Sequence, residues 1–197
     1  DVHTQLLEQL TQLEVKAVTF DILFSDAEGE AKDQGFANAL EASGRTVLAL
    51  APEQASQGER ISESLPLPEL TIAAAAVGHV DVELDRDGLC RSVYLKAGLG
   101  QSRWPSLALA LRQVAYPGQS GLPANLRNPT TDLSSKPFRW VRDNKVLIPF
   151  VGGSGTFKRL SYSDVLYKRV DPDALKGRIV LIGSTAAGLG DVLATPA

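Results

Sequence analysis

Residues 15–24 read VKAVTFDILF, and residues 178–183 near the other end read RIVLIG. Both are apolar runs rich in β-branched or aromatic side chains with little polar interruption, the pattern of strands covered on both faces in a parallel sheet. Each follows a helical segment. Leu6, Leu10 and Leu13 share one helical face ahead of the first run, while Asp171 and Pro172 open and Lys176 and Gly177 close a short helix ahead of the second. A third unit lies between them. Asp33 is suited to cap a helix carrying Phe36, Ala39 and Leu40 on one side, and Gly44 ends it before the strand TVLAL at residues 46–50. Three helix-to-strand units predict an α/β fold with a mainly parallel central sheet in a three-layer, α/β/α-like arrangement.

The middle of the chain has another grammar. VGHVDVEL and LCRSVYL alternate polar and apolar residues around DRDG, which predicts an antiparallel hairpin added to the parallel sheet. Pro105 is placed to start a helix over SLALALRQVAY, with Leu107, Ala108, Leu111, Val114 and Ala115 as its core stripe. Residues 117–137, rich in Pro, Gly, Ser, Asn and Thr, read as a flexible loop or insertion. Beyond them, PFRWV and KVLIPF read as two short strands joined at residues 142–144. LSYSDVL then carries the signals of a capped helix: Ser161 at the cap, Asp164 as its capping-box partner, and Leu160 stapled on Val165.

With 197 residues, 44% hydrophobic and 22% charged, the chain can bury one substantial core, so residues 1–197 are read as a single domain. A net charge of −3 with scattered Lys and Arg argues against a nucleic-acid partner. The single cysteine, Cys90, rules out an internal disulfide and, without nearby ligands, suggests a small apolar strand residue rather than a zinc site. The longest apolar candidate, LTIAAAAVGHV, is far shorter than the ~18–20 residues that cross a bilayer. The chain has no Met and begins DVHTQLLEQL, which predicts a domain truncated at both ends, with any membrane anchor outside it.

Reactive chemistry finds little support. Asp21 lies inside the first apolar run, but Leu23 occupies the place where an Asp-x-Asp phosphotransferase needs its second carboxylate, so Asp21 reads as an anchor that needs a partner. Glu83, Asp85, Asp87 and Gly88 imitate half of a calcium loop, yet Tyr94 stands where the bidentate Glu belongs. IGSTAAGLGD at residues 182–191 lacks both the P-loop lysine and the dinucleotide glycines. His79 is the only internal histidine, and neither Ser154 nor Ser184 sits in a nucleophile elbow. No catalytic residue, metal or cofactor is therefore expected.

Taken in order, AVTFDILFSD, GHVDVELDRDGLCRSVYL, PSLALAL, GTFKRLSYSDVL and LKGRIVLIGSTAAGLGDVLATP resemble the CHASE domain of the second type over residues 5–196. That resemblance implies an extracytoplasmic sensor module of a bacterial membrane receptor, linked through membrane helices to a cytoplasmic output such as a nucleotide cyclase, diguanylate cyclase, histidine kinase or serine/threonine kinase. It also implies a further strand before the first helix and more chain after ATP, both outside this sequence. The family supplies no catalytic residues to carry over.

A ligand site must therefore be sought physically. Parallel α/β sheets bind ligands beyond the carboxyl ends of their strands, which points to Phe24, Ser25 and Asp26 after the first strand and Ser184 and Thr185 after the last. Asp21, Asp33, His79, Arg91 and Asp191 are expected as polar anchors bracing that region. The expected partners are an unidentified small molecule or envelope protein and the rest of the receptor chain with its membrane helices; a homodimer is left open. Two alternatives stand beside sensing. One is an interaction or dimerisation module of the cell envelope that uses an exposed Leu6/Leu10/Leu13 face. The other is a hydrolase or phosphotransferase built on Asp21 and Ser184.

Overall fold

The computed structural model describes residues 1–54, 61–119, 121–122, 139–153, 155–184 and 193–196. The apolar run at residues 15–24 forms β1 (Ala17–Asp21), flanked by β2 (Thr46–Gln54) and β8 (Ile179–Gly183), both parallel to it. β4 (Ala76–His79) adds to the other side of β2, again parallel, and β3 (Ile61–Ser64) pairs antiparallel with the far end of β2. A second sheet is wholly antiparallel: β6 (Trp104–Pro105), β5 (Ser92–Leu99) and β7 (Trp140–Leu147) in that order. The expected α/β architecture, mainly parallel with an antiparallel addition, is the one observed.

Alternation along the strands sorts the core into layers. Val18, Phe20, Leu48 and Ile182 face the helices α1 (Val2–Gln12), α2 (Glu30–Ser43), α3 (Pro68–Ala73) and α5 (Tyr162–Leu166). Val47 and Ala49 face the opposite way, against α4 (Leu107–Ala115). A third cluster, Leu50, Val77, Ala97 and Trp140, joins the parallel sheet to the antiparallel one. Leu6 and Leu10 are buried in the first of these layers, with Leu13 packed against it. The α1 face that the interaction-module alternative needed exposed is therefore spent inside the domain.

Several local expectations are corrected. The hairpin around DRDG does not form: β4 pairs with β2, β5 pairs with β7, and the chain between them is not a ladder. Only the turn survives, where the Asp85 N–H donates to the Leu89 carbonyl and Gly88 adopts φ +80°. Cys90 is buried, but in that connection rather than in a strand. The two strands expected at residues 137–150 are one continuous strand, β7, in which Asn144 takes φ +56° without shifting the register. Asn tolerates the left-handed region better than most residues, so the turn signal was real but local.

Helix ends moved as well. α4 is capped by Ser106, whose Oγ accepts from Leu109 N–H, while Pro105 belongs to β6 and Ala108 faces solvent. At α5, Ser161 makes no side-chain cap; its Oγ meets Ser163 Oγ, and Asp164 pairs with Arg169 instead. Of the expected loop at residues 117–137, Pro117–Gln119 form a 3₁₀ turn whose Gln119 carbonyl accepts from Arg112, and residues 120 and 123–137 lie outside the described residues.

α2 begins at Glu30, a turn earlier than Asp33 suggested. Asp33 still closes the helix end by reaching back: its carboxylate accepts from Glu28 N–H (3.2 Å) and Gly29 N–H (3.1 Å). Gly29 has no side chain to cap with, so this carboxylate serves two N–H groups that would otherwise face the loop unpaired. Asp33→Ala is expected to cost about 1 kcal/mol in urea denaturation, the usual scale of a lost cap, with no change in fold.

Candidate functional site

β1 leaves the sheet at Asp21, and the chain then runs through Ile22, Leu23 and Phe24 into a loop that returns at α2. A cleft of about 220 Å³ opens there, at the carboxyl end of the strand. Its apolar wall is Ile22, Phe24, Phe36, Leu67 and Leu70; His3 of α1 closes one side, and Asp26, Glu28, Lys32 and Asp33 stand at its edge.

The wall is an aromatic cluster. Phe24 and Phe36 lie 5.0 Å apart between ring centroids, Phe20 meets each edge-to-face at 5.6 Å, and His3 meets Phe24 at 5.4 Å. Such offset and edge-on contacts are the favoured geometries for rings and hold the wall in one arrangement. Tyr162 of α5 backs His3: its Oη lies 2.9 Å from His3 Nδ1 and 3.2 Å from the Val2 carbonyl. With the single Tyr162 proton on Val2, Nδ1–H of His3 is the donor between the rings. Burial lowers the His3 pKa below the ordinary imidazole value, with Glu28 opposing, and pushes Tyr162 up to about 12. The cleft thus presents a neutral, mostly apolar wall under a charged edge.

The edge is partly committed to structure. Lys32 pairs with Glu28 at 3.5 Å, and Asp33 holds the α2 end. Asp26 accepts from Ser25 Oγ at 3.3 Å. Of the residues anticipated at strand ends, Phe24 and Asp26 line the cleft, whereas Ser25 is exposed beside it. Ser184 is exposed just beyond Gly183, which sits opposite Asp21 in the β1–β8 register, and does not line the cleft. Asp21 itself is exposed, so the desolvation that demanded a partner for it does not arise. Thr185, Asp191 and Ser154 lie outside the described residues.

One remaining anchor, His79, occupies a different place, the seam between the two sheets. Asp81, 7% exposed, follows β4 and accepts three hydrogen bonds: Trp140 Nε1 at 2.9 Å, Arg142 Nε at 2.6 Å and Arg142 Nη2 at 2.8 Å. Burial alone would raise its carboxyl, but the Arg142 and Trp140 hydrogen bonds outweigh that and hold it below the ordinary range. Two residues on, Glu83 accepts from Tyr94 Oη at 2.6 Å and Lys145 Nζ at 3.4 Å. At the other end of the seam the buried Glu63 carboxylate takes Leu99 N–H at 2.7 Å and pairs with Arg103.

His79 ends β4 inside this seam, 2% exposed, with its ring edge-on to Trp140. Arg91 does not reach it; that guanidinium bridges Asp85 (2.9 Å) and Asp87 (2.8 Å) and fastens the DRDG turn, and its hydrogen bond holds the Asp87 carboxyl down to about 2. The sequence carried one unread signal for Asp81. In an extended segment, His79, Asp81 and Glu83 alternate onto one side, so a buried His79 made Asp81 a candidate for burial too. His3, Glu28, Lys32, Leu67 and Leu70 had no such signal.

A family model described as the CHASE2 domain matches residues 1–197, the whole chain. The chain belongs to the CHASE2 domain family. CHASE2 domains are extracellular sensors rather than catalysts, in keeping with a cleft walled by aromatic and aliphatic side chains. No curated protein and no solved structure matches this CHASE2 domain. Among the described residues no helix is long and apolar enough to cross a membrane.

Proposed function

We propose that this CHASE2 domain is the external sensory part of a bacterial membrane receptor, and that the cleft beyond β1 receives the cue. The observation that carries the reading is where the cleft sits: it touches both the β1–α2 loop, through Phe24 and Asp26, and the first turn of α1, through His3. A small molecule wedged there contacts two elements at once. If it binds one arrangement of them better than another, it biases α1, and the chain beyond α1 conveys that bias to a cyclase, diguanylate cyclase or histidine kinase output.

A thermal-shift screen of metabolites and ions against the chain tests this. A ligand held at roughly 100 times its Kd adds about 2.7 kcal/mol of stability, several degrees in Tm at this size. The expected result is at least one such compound, with its shift lost in Phe24→Ala and reduced in Asp26→Asn. A screen with no hits, or a hit unaffected by both changes, would remove the cleft from consideration.

A second reading, an interaction or dimerisation module of the envelope, is favoured by a surface other than α1. On β8, Ile179 is 41% and Leu181 67% exposed, an apolar strand face without a covering helix among the described residues. Light scattering of the wild type against Leu181→Lys separates the two: a dimer dispersed by that change supports the module, and a monomer in both removes it.

A further inference from the structure

The seam between the sheets holds one titratable group that no structural task explains. His79 is the last residue of β4, paired in register with Leu50 of β2, and it is buried among Leu50, Val77, Ala97 and Trp140. Neither ring nitrogen makes a hydrogen bond of ordinary geometry among the described residues, although the Tyr94 backbone lies near enough to favour a proton there. A buried imidazole serving only as filler would be replaceable by an apolar ring at lower desolvation cost.

The charges around it are already balanced. Asp81 is the nearest carboxylate, and both of its oxygens are taken by Arg142 and Trp140. Beyond that pair, Glu83 is shared by Tyr94, Lys145 and Arg142, and Glu63 is held by Leu99 N–H and Arg103. β2 presents apolar Leu50 to the imidazole, and Ser106 at the start of α4 bridges its backbone. A proton on His79 therefore adds a cation where the one adjacent anion already has a guanidinium. It can be accommodated only by displacing Arg142 from Asp81 or by admitting water, and either parts β7 from β4.

We infer that His79 is a proton-sensing site, and that its protonation in mild acid loosens the antiparallel β5–β7 sheet from the parallel sheet, making external acidity a cue for this domain. The step is proton uptake from solvent onto a ring nitrogen, with no other reactant. Burial, with Arg142 adding to it, holds the folded imidazole below its ordinary value, against the pull of Asp81. The loosened form, with the ring in water near its usual value of about 6.5, then binds the proton better. Its population relative to the closed form rises by up to about tenfold per pH unit as pH falls below about 6.5, levelling off once the closed form is protonated too. The Asp81 carboxyl titrates below this window and does not share it. The inference does not depend on the cleft beyond β1.

The protein's two tryptophans, Trp104 and Trp140, both stand at the seam, so their emission reports on it alone. Between pH 7.5 and 5.0 the expected result is a red shift and a several-fold rise in acrylamide quenching, with far-UV circular dichroism unchanged. His79→Gln should abolish the transition, and His3→Gln should leave it in place. Should His79→Gln not fold, the wild-type His79 ring resonance, distinguished from His3 by the His3→Gln spectrum, should titrate with the same midpoint as the emission. A transition that survives in His79→Gln, a loss of circular dichroism at the same pH, a seam unresponsive down to pH 5.0, or a His79 resonance that does not follow the emission would each overturn the inference.

Discussion

Asp81→Ala is expected to lower the unfolding free energy by about 3 kcal/mol, the lower part of the range for breaking a buried ion pair. The change strips the partner from Trp140 Nε1 and from two nitrogens of Arg142 at once. The cost stays at the lower end because the Arg142 side chain is 33% exposed and water can take over part of its solvation. Urea denaturation should show a lower midpoint with an unchanged slope. Arg142→Ala in the same background should add less than it costs alone, because the orphaned guanidinium is then gone. Acid should act in the same direction: the Asp81 carboxyl is held below its ordinary value, so its contribution is intact above about pH 4 and is lost as pH falls further through the folded value.

Gly78→Ala should cost about as much for a wholly different reason. A Cβ on Gly78 would sit 2.6 Å from Leu107 Cα, 2.8 Å from Leu107 N and 3.0 Å from the Ser106 carbonyl carbon. All three are backbone atoms of the start of α4, so no side chain can swing aside. The helix must back away from the sheet, opening the contact of Leu107 and Ala110 with Val47 and Ala49. Overpacking of this kind costs about 3 kcal/mol, at the upper end of the usual range. Gly35 in α2 supplies the control, since a Cβ there meets nothing within 4 Å. Gly35→Ala should stabilise by about 0.5–1 kcal/mol through helix propensity alone. A thermal melt in which both alanines behave alike would refute the steric account.

The two sheets were unequally legible. Runs such as AVTFD and IVLIG are apolar on successive residues, so the parallel sheet could be read directly, although only β1 is covered on both faces while β8 leaves Ile179 and Leu181 exposed. GHVDVEL also announced a strand with a tight turn after it; the strand ends at His79, and the turn is present. What it concealed was the partner. Its polar side is answered by Trp140, Arg142 and Lys145 of β7, and Trp140 lies 59 residues from Asp81 in the chain. Similarly, Phe24 and Asp26 were found from the rule about strand ends, whereas His3 and Leu70 join the cleft only because α1 and α3 pack beside that loop.

By itself, then, the sequence determined the segments that become β1, β2 and β8, the mainly parallel sheet, and the family. Tertiary structure decided that Asp21 faces water while Asp81 is buried, which strand answers β4 and β5, and where a cleft remains open. The physical reason is that periodicity records which faces of an element are apolar, a local property. Which element does the covering, and which carboxylate it shuts away from solvent, depends on contacts between residues far apart in the chain.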